Sequence, residues 1–316
     1  MITLFRKKTG RVRRRLRTQC PEVERLDQRA LLSGVVYVSD LPHTVVANGW
    51  GPVEKDTSNG EQAAAASVAA VAAAQPLPSP TASPSSSSLP PPISGTQYQL
   101  VWSDEFNGTS IDTSKWNKVG PWGKPVSSTW ANFSYLTSNV SEANGLATIT
   151  VHKSGSNWTG GILSTDTTKQ FQYGFVEVRA KLPKGQGFWP AIWLYGGTSA
   201  DELDMMEFLG GDVTTVYQTY HYGATYPGAQ QQDQPKSSDW TTDYHLFQMK
   251  WEPGRLTYYV DNVQEGTWTT SVPARPMYLM LNFDVGGPND WGGAPNRSTP
   301  TTATFNVDYV RVYQLK

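Results

Sequence analysis

Three acidic residues lie within one short apolar segment, Glu202-Leu203-Asp204-Met205-Met206-Glu207. The intervening Leu and Met side chains need a buried face, so the segment is typical of a strand and not of a solvated acidic loop. Strand side chains alternate between two faces, and Glu202 and Asp204 therefore project together. Strict alternation turns Glu207 to the opposite face. We therefore predict a β-bulge at Met205 or Met206, whose extra residue returns Glu207 to the shared face.

Acids crowded on one face of a strand have a specific chemical use. They cannot all ionise at their ordinary pKa values, which favours one ionised nucleophile and one protonated acid. Glycoside hydrolysis needs this division, with carboxyl groups about 5–5.5 Å apart when the configuration is retained. Backbones about 13 Å apart, four strand steps, allow two Glu side chains to reach that separation. The alternatives are a solvated edge strand and a calcium-binding loop, which would bring Gly or Asn between its acids.

The region that positions these acids predicts an all-β domain over residues 95–316. Short alternating or aromatic-rich runs recur between turns rich in Gly and Pro, and no segment keeps a helical period over 10–12 residues. Together they favour a sandwich of two antiparallel sheets. The runs are Leu146–Val151, Gly174–Lys181, Leu256–Val260, Tyr278–Phe283 and Phe305–Tyr313.

Composition excludes several classes of function. Net charge is −1, which gives no basis for binding nucleic acid. Cys20 is the only cysteine, so a disulfide framework and a Cys-rich zinc site are excluded. No apolar run reaches the roughly 20 residues of a transmembrane segment. Aromatic residues reach 12% of the chain, which suits either a β-rich core or a cleft where rings stack on sugars.

The composition of the first 94 residues predicts an N-terminal extension that has no hydrophobic core of its own. Residues 1–34 begin with eight basic side chains, and no apolar stretch of a secretory signal follows them. Glu24 to Ser33 resembles the Glu-x-Leu-x-x-Arg-x-Leu-Leu-Ser leader of exported and surface proteins of planctomycete-type bacteria. Without that likeness it would be a short amphipathic helix. Residues 35–94, rich in Ala and then in Pro and Ser, predict a disordered linker. An extracellular or cell-surface location follows as the expectation.

Several motifs of the region from residue 97 to the end resemble, in order, those of glycoside hydrolase family 16. The acidic strand matches the family signature Glu-x-Asp-x-x-Glu. The other matching segments are Leu100–Phe106, Tyr173–Pro183, Trp189–Trp193 and Val307–Tyr313. The resemblance implies a concanavalin-like jelly roll, with Glu202 as nucleophile, Glu207 as general acid/base and Asp204 tuning the nucleophile. The six-residue signature is similar to the laminarinase, agarase and carrageenase branches. Bacterial lichenases have one residue fewer.

The same resemblance proposes residues that hold a sugar. Trp189 is expected to stack on it, whereas Trp193, four residues on, is either a second ring in the cleft or core. Arg179 either reaches the cleft or forms a surface salt bridge. His221 either makes a hydrogen bond near the acid/base or is a buried histidine satisfied by backbone. Three further matches in loops at the cleft are Trp130, Asn132 and Trp291.

A structural calcium is a further implication of the family, and no cofactor is expected for catalysis. Asp308, with backbone oxygens near Glu105 and Gly145, would be its ligands. The expected partner is a polysaccharide and the expected state a monomer. The leading substrate is β-1,3- or mixed β-1,3/1,4-glucan. Agar or carrageenan, and a non-catalytic carbohydrate-binding role, stay as alternatives. Leu281–Gly287 departs from the laminarinase pattern at Phe283 and Asp284, where subsites could differ.

Overall fold

The computed structural model describes residues 89–122, 132–197, 201–223 and 229–316. The predicted leader and all but the last residues of the predicted linker lie outside the described residues. In the described ranges the regular structure is strand, apart from two short 3-10 turns at Pro91–Ile93 and Thr137–Asn139. The predicted all-β class is confirmed.

Fifteen strands pack as two layers. The first, called the front sheet, has the order β10-β9-β8-β7-β14-β5, and the second, the back sheet, continues as β4-β15-β6-β11-β12-β13. Strand β1 pairs with β15 and β3 with β4, whereas β2 pairs in parallel with β5. The strands are β1 (Tyr98–Asp104), β2 (Phe133–Tyr135), β3 (Val140–Ala143), β4 (Leu146–Ser154), β5 (Asn157–Ser164), β6 (Gly174–Lys181), β7 (Phe188–Tyr195), β8 (Glu202–Phe208), β9 (Val216–Tyr222), β10 (Ala229–Asp233), β11 (Tyr244–Glu252), β12 (Arg255–Val260), β13 (Val263–Trp268), β14 (Tyr278–Val285) and β15 (Thr302–Leu315).

The two sheets are joined along one edge and not separate. Strand β5 pairs with β14 of the front sheet through Gly161–Ser164 and with β4 of the back sheet through Asn157–Thr159. A continuous ribbon therefore folds over itself into the predicted jelly-roll sandwich. The five sequence runs that predicted strands all lie in strands, namely β4, β6, β12, β14 and β15.

Alternation along each strand sends one set of side chains into the sandwich. On β6 the residues Val176, Val178 and Ala180 belong to the hydrophobic core, while Glu177 and Arg179 between them point to the other face. The front sheet supplies Leu203 from β8, together with fully buried side chains of β7 and β14. Burial on this scale provides the main stabilising free energy of the domain. It also gives the acids of β8 a fixed backbone.

No helix among the described residues has the length and apolar character needed to cross a membrane.

Candidate active site

The acidic segment forms strand β8, in the middle of the front sheet between β7 and β9. Glu202 lies opposite Tyr195 on β7, and Asp204 lies opposite Trp193. The register then shifts, so that Met206 opposes Ile192 and Glu207 opposes Ala191. Strand β9 shows the same interruption between Asp204 and Glu207. The predicted bulge at Met205-Met206 is confirmed, and it returns Glu207 to the face of the other two acids.

A buried glutamine satisfies the backbone that the bulge disturbs. Gln218 on β9 is fully buried, and its side-chain Nε2 donates to the carbonyl oxygen of Met205 at 3.0 Å. A bulge leaves a carbonyl without its partner in the ladder, and such a group is costly when buried. The amide of Gln218 therefore stabilises the irregularity that aims Glu207.

Glu207 is surrounded by groups that favour its protonated form. Burial raises its pKa well above the ordinary value, and the charges of Asp204 and Glu202 raise it further. Trp189 on β7 donates its Nε1 proton to Glu207 Oε1 at 3.1 Å, and this bond acts in the opposite direction. The net result is a carboxyl group that keeps its proton to a higher pH than an ordinary glutamic acid does.

His221 links to the other two acids. Its Nε2 lies 3.1 Å from Asp204 Oδ2 and 3.9 Å from Glu202 Oε1. Burial alone would lower the pKa of His221, but the hydrogen bond and charge of Asp204 raise it above its ordinary value. Burial raises the pKa of Asp204, against the effect of His221. His221 thus bonds to the central acid beside Glu207, which fits the predicted hydrogen bond near the acid/base and not the alternative of satisfaction by backbone.

One atom from each of Glu202, Asp204 and His221 lies within 4.8 Å of the other two, a spacing that a cation could also use. The hydrogen bond between Asp204 and His221 is enough to explain why these side chains lie so close together.

A pocket opens on this face beside the acids. Two of its side chains are polar groups of β14, Asn282 and Asp284, in addition to Asp204 and Glu207. Asn282 Oδ1 accepts a hydrogen bond from Trp193 Nε1 at 2.7 Å, which fixes the Trp193 ring. The lining residues are Trp189, Ala191, Trp193, Asp204, Glu207, Asn282 and Asp284.

Aromatic rings border the pocket at the Glu207 end. The Trp291 ring lies 5.6 Å from the Trp189 ring and 4.5 Å from the Tyr217 ring, both edge-to-face. Tyr217 is the residue of β9 directly opposite Glu207. The structure therefore brings the predicted residues Trp189, Trp193 and Trp291 to the acids. Trp193 fits both predictions, a ring in the cleft and a core residue, since its ring is fully buried and also lines the pocket.

Arg179 is not at the pocket, and the expectation that it reaches the cleft is wrong. It lies on β6 of the back sheet and points away from the core. Its Nη1 donates to Asp308 Oδ2 at 2.6 Å, with both side chains about 95% buried, so the pair is not a surface salt bridge either. Its guanidinium also lies 4.7 Å from the Tyr244 ring centroid. The strand alternates correctly, but β6 belongs to the sheet opposite the acids.

Two other predicted sugar contacts lie on the chain before β2. Trp130 is outside the described residues. Asn132 is half-buried, and its backbone oxygen accepts a hydrogen bond from the Trp158 amide at 2.7 Å. The next strand, β2, carries Tyr135, whose hydroxyl donates to Asp284 at the pocket.

The residues predicted to bind calcium lie partly together. Gly145, with φ of 76°, sits near the Asn107 side chain, and the Gly108 amide donates to Glu142 Oε1 at 2.5 Å. The segment after Glu105 therefore meets the turn at Gly145. Glu142 Oε2 is buried without a hydrogen-bond partner among the described residues, which fits an additional cation ligand.

One ion pair weighs against that site. Asp308, the predicted carboxylate ligand, is already paired with Arg179. Arg311 binds both side-chain oxygens of Glu105, at 2.9 and 2.7 Å, and these bonds do not involve the backbone oxygens of the prediction. The calcium site stays a prediction.

Comparison with known proteins places the chain in a family. The model of "Glycosyl hydrolases family 16" matches residues 127–311. The chain belongs to glycosyl hydrolase family 16. A "Glucan endo-1,3-beta-glucosidase A1" of Niallia circulans is 34% identical over 71% of this chain and 39% of its own length. A "Keratan-sulfate endo-1,4-beta-galactosidase" of Sphingobacterium multivorum is 34% identical over 71% of this chain and 57% of its length. The chain thus spans less than two thirds of either curated relative.

A solved structure shares the fold of this family 16 chain. The endo-beta-1,3-glucanase of Pyrococcus furiosus superposes with a TM-score of 0.60 at 30% identity. The match covers 71% of this chain and 97% of the solved one.

Asp284 stood out in the sequence only as a departure from the laminarinase pattern where subsites could differ, and other side chains of the site were missed. Asn282 and Asp284 alternate with fully buried Leu281 and Phe283 on β14, so polar residues at period two in an apolar strand were the available signal. Trp122, whose ring stacks on Trp193 at 6.4 Å, and Gln218 carried no signal in the sequence. Their positions depend on strand pairing across long separations.

Proposed function

We propose that this family 16 chain is a retaining endo-β-glucanase of the laminarinase-like branch. It would hydrolyse β-1,3- or mixed β-1,3/1,4-glucan. The observation that carries the proposal is the shared face of β8: Glu207 has a raised pKa and lies beside Glu202 and the Asp204–His221 pair. The names of the relatives from Niallia circulans and Pyrococcus furiosus support the choice of a β-1,3-glucan.

The mechanism is a double displacement. Glu207 gives its proton to the leaving glycosidic oxygen while the Glu202 carboxylate attacks the anomeric carbon, and a glycosyl-enzyme ester forms. Glu207, now ionised, then takes a proton from water. The water oxygen attacks the anomeric carbon, which breaks the ester bond and frees Glu202. Asp204 acts between them. Its charge favours the proton on Glu207, and its bond to His221 fixes its own orientation.

Each residue around the acids has a role in this proposal. Trp189 orients Glu207 through the Nε1 hydrogen bond, and the Trp189, Trp291 and Tyr217 rings border the path of the sugar chain. Trp130 and Asn132 remain proposed sugar contacts on the segment before β2.

The alternatives differ in polymer or in chemistry. The relative named as acting on keratan sulfate shows that the family reaches other polysaccharides. Residues 187–235 contain no Lys or Arg, which disfavours a heavily sulfated polymer such as carrageenan. A non-catalytic binding role is disfavoured because both glutamates are present on the cleft face.

Reducing-sugar release from laminarin, lichenan, agarose and carrageenan tests the proposal. We expect release from laminarin or lichenan, and a loss of about 10³-fold or more in kcat for Glu202→Gln and for Glu207→Gln. Glu252→Gln, on the back sheet, is the matched control and keeps full turnover. NMR of the first products should show the β-anomer. An α-anomer, or turnover that survives in both cleft variants, would contradict the mechanism.

Export as a monomer to the cell exterior or surface is part of the same proposal. The leader-like segment from Glu24 to Ser33 and the Pro/Ser-rich linker support it. Fractionation of the host would find the intact protein outside the cytoplasm, and size-exclusion chromatography with light scattering would give one chain per particle.

A further inference from the structure

Asp284 is a carboxyl group in the pocket that the proposed mechanism does not use. It lies on β14 directly opposite Trp189 on β7, so the two side chains are cross-strand neighbours on the cleft face. Both line the pocket together with Glu207. Strand β7 separates Asp284 from the acids of β8, which places it about 10 Å across the sheet from them. At this distance Asp284 meets a different ring from the one that Glu202 attacks.

Hydrogen bonds hold Asp284 by one oxygen. The Tyr135 hydroxyl and Asn282 Nδ2, the latter at 3.0 Å, both donate to Oδ1. Asn282 is itself held by Trp193 through its own side-chain oxygen. No donor within the described residues bonds to Oδ2. Because Asp284 lines the pocket, Oδ2 is the acceptor it presents to a ligand.

The charge of Asp284 has no cationic partner in the pocket. Burial raises its pKa to about 6, against the hydrogen bonds from Tyr135 and Asn282, so it is ionised at neutral pH. Its charged neighbours are acids: Asp290 in the loop after β14, and Asp204 across β7. No Lys or Arg is among the lining residues that the structure describes. An ionised carboxylate here accepts hydrogen bonds from hydroxyl groups and repels a second anion.

We propose that Asp284 is a specificity-determining residue. It accepts a hydrogen bond from a hydroxyl of the sugar next to the one attacked, and it excludes sulfated or carboxylated sugars from that position. The Trp189 ring stacks on the face of the same sugar, and Asp284 contacts a hydroxyl at the edge of that sugar. This inference rests on the proposed glycanase function, since it names the class of polymer, neutral and unsubstituted, that the same cleft takes.

The test compares wild type with Asp284→Asn, which keeps the shape and an oxygen for Tyr135 but removes the charge. The substrates are laminarin and laminarin sulfated chemically to a low degree. We expect the wild type to prefer the unsulfated form. In the variant, kcat/KM on laminarin should fall about tenfold, and the preference for laminarin over its sulfated form should shrink. Asp284→Ala repeats the test with the carboxyl removed. Asp243→Asn, before β11 of the back sheet, carries the same charge change and should leave the preference as it is.

A binding measurement separates this inference from the glycanase proposal. Retardation in gels containing laminarin or agarose, native or sulfated, is measured in a Glu202→Gln background, where binding needs no turnover. If wild type cleaves no glucan, the glucanase proposal fails. The difference in retardation between native and sulfated gels still shows whether Asp284 excludes sulfated sugars. An Asp284→Asn protein that discriminates against sulfated polymer as strongly as its parent would overturn the inference.

Discussion

Glu202 and Glu207 need opposite charge states at the same moment in the proposed mechanism. The structure supplies the difference through environment, because burial and two neighbouring acids raise the pKa of Glu207 well above its ordinary value. Asp204 contributes more to that shift than His221 removes. The proton that Glu207 delivers to the leaving group is therefore held in place by burial and, next, by the negative charge of Asp204.

Asp204→Asn should move the pH profile of catalysis. The basic limb of kcat/KM reports loss of the Glu207 proton, and removing a neighbouring negative charge lowers the pKa of Glu207. We expect the basic limb to shift to lower pH in the variant. Asn keeps the size of the side chain and can still bond to His221. Asp243→Asn on the back sheet should leave the profile unchanged, and a limb that stays in place in Asp204→Asn would contradict the role given to Asp204.

At the residue scale, the sequence could predict which side chains lie together when they share one strand. It could not do so for side chains on different strands. Glu202, Asp204 and Glu207 could be grouped by parity and one extra residue, because strand periodicity depends on local sequence alone. Arg179 could not be placed by the same reasoning. Its parity was clear, but the sheet that β6 joins is decided by pairing with β11 and β15, far away in sequence.

At the scale of elements, the bulge on β8 is the feature that the site depends on. It inserts Met205-Met206 opposite a single position of β9, and Gln218 is the residue at that position. The side chain of Gln218 reaches into the sandwich and donates to the Met205 carbonyl, with a longer contact of 3.4 Å to the Tyr259 carbonyl of β12. Two strands from different sheets are thus tied at the point where Glu207 is aimed.

Gln218→Met should loosen this arrangement. The Met205 carbonyl would lose its donor, and a buried acceptor without a donor costs about 1–3 kcal/mol. Gln218 Oε1 has no hydrogen-bond partner among the described residues, so its removal offsets part of that cost. We expect a lower free energy of unfolding in urea and a drop of about tenfold or more in kcat, because Glu207 is displaced from its position.

Gln264→Met, at an exposed position of β13, is the control for that substitution and should change neither quantity. A Gln218→Met protein that is destabilised but fully active would show that the bulge aims Glu207 without the amide.

The existence of the bulge could be predicted because a chemical requirement, three acids on one face, conflicted with strict alternation. The strands themselves followed from alternating runs and from Gly and Pro at the turns. The continuity of the two sheets through β5 could not be predicted, since it depends on which neighbours β5 finds and not on its own pattern.

At the scale of the whole molecule, the outer face of the back sheet carries buried polar groups as a second layer. Arg179 pairs with Asp308, Arg311 pairs with Glu105, and Glu177 accepts hydrogen bonds from Gln248 at 2.7 Å and from Tyr309 at 3.0 Å. These groups lie on the sheet opposite the acids of β8. Burial raises the pKa of Glu177, so this layer holds charge at some cost in stability. Its contribution should therefore appear in unfolding and not in turnover.

Arg179→Met tests that separation. The change leaves the Asp308 carboxylate buried and without its partner, which costs about 3–5 kcal/mol of unfolding free energy. Asp308→Leu added to Arg179→Met should recover most of that loss, because replacing both members of a buried pair with apolar groups is often neutral. Lys250→Met breaks a partly exposed pair with Glu252, both residues being on β11, and should change the free energy of unfolding by less than about 1 kcal/mol.

The kinetics of the same variants decide where Arg179 acts. Its guanidinium contacts Asp308 and Tyr244 on the back sheet, so kcat and KM on laminarin at a temperature where the variant is folded should equal those of the wild type. A sugar contact in the cleft would instead raise KM, and the double variant would not restore it. Urea unfolding and steady-state kinetics on one protein preparation therefore separate a stabilising ion pair from the cleft contact that the sequence alone allowed.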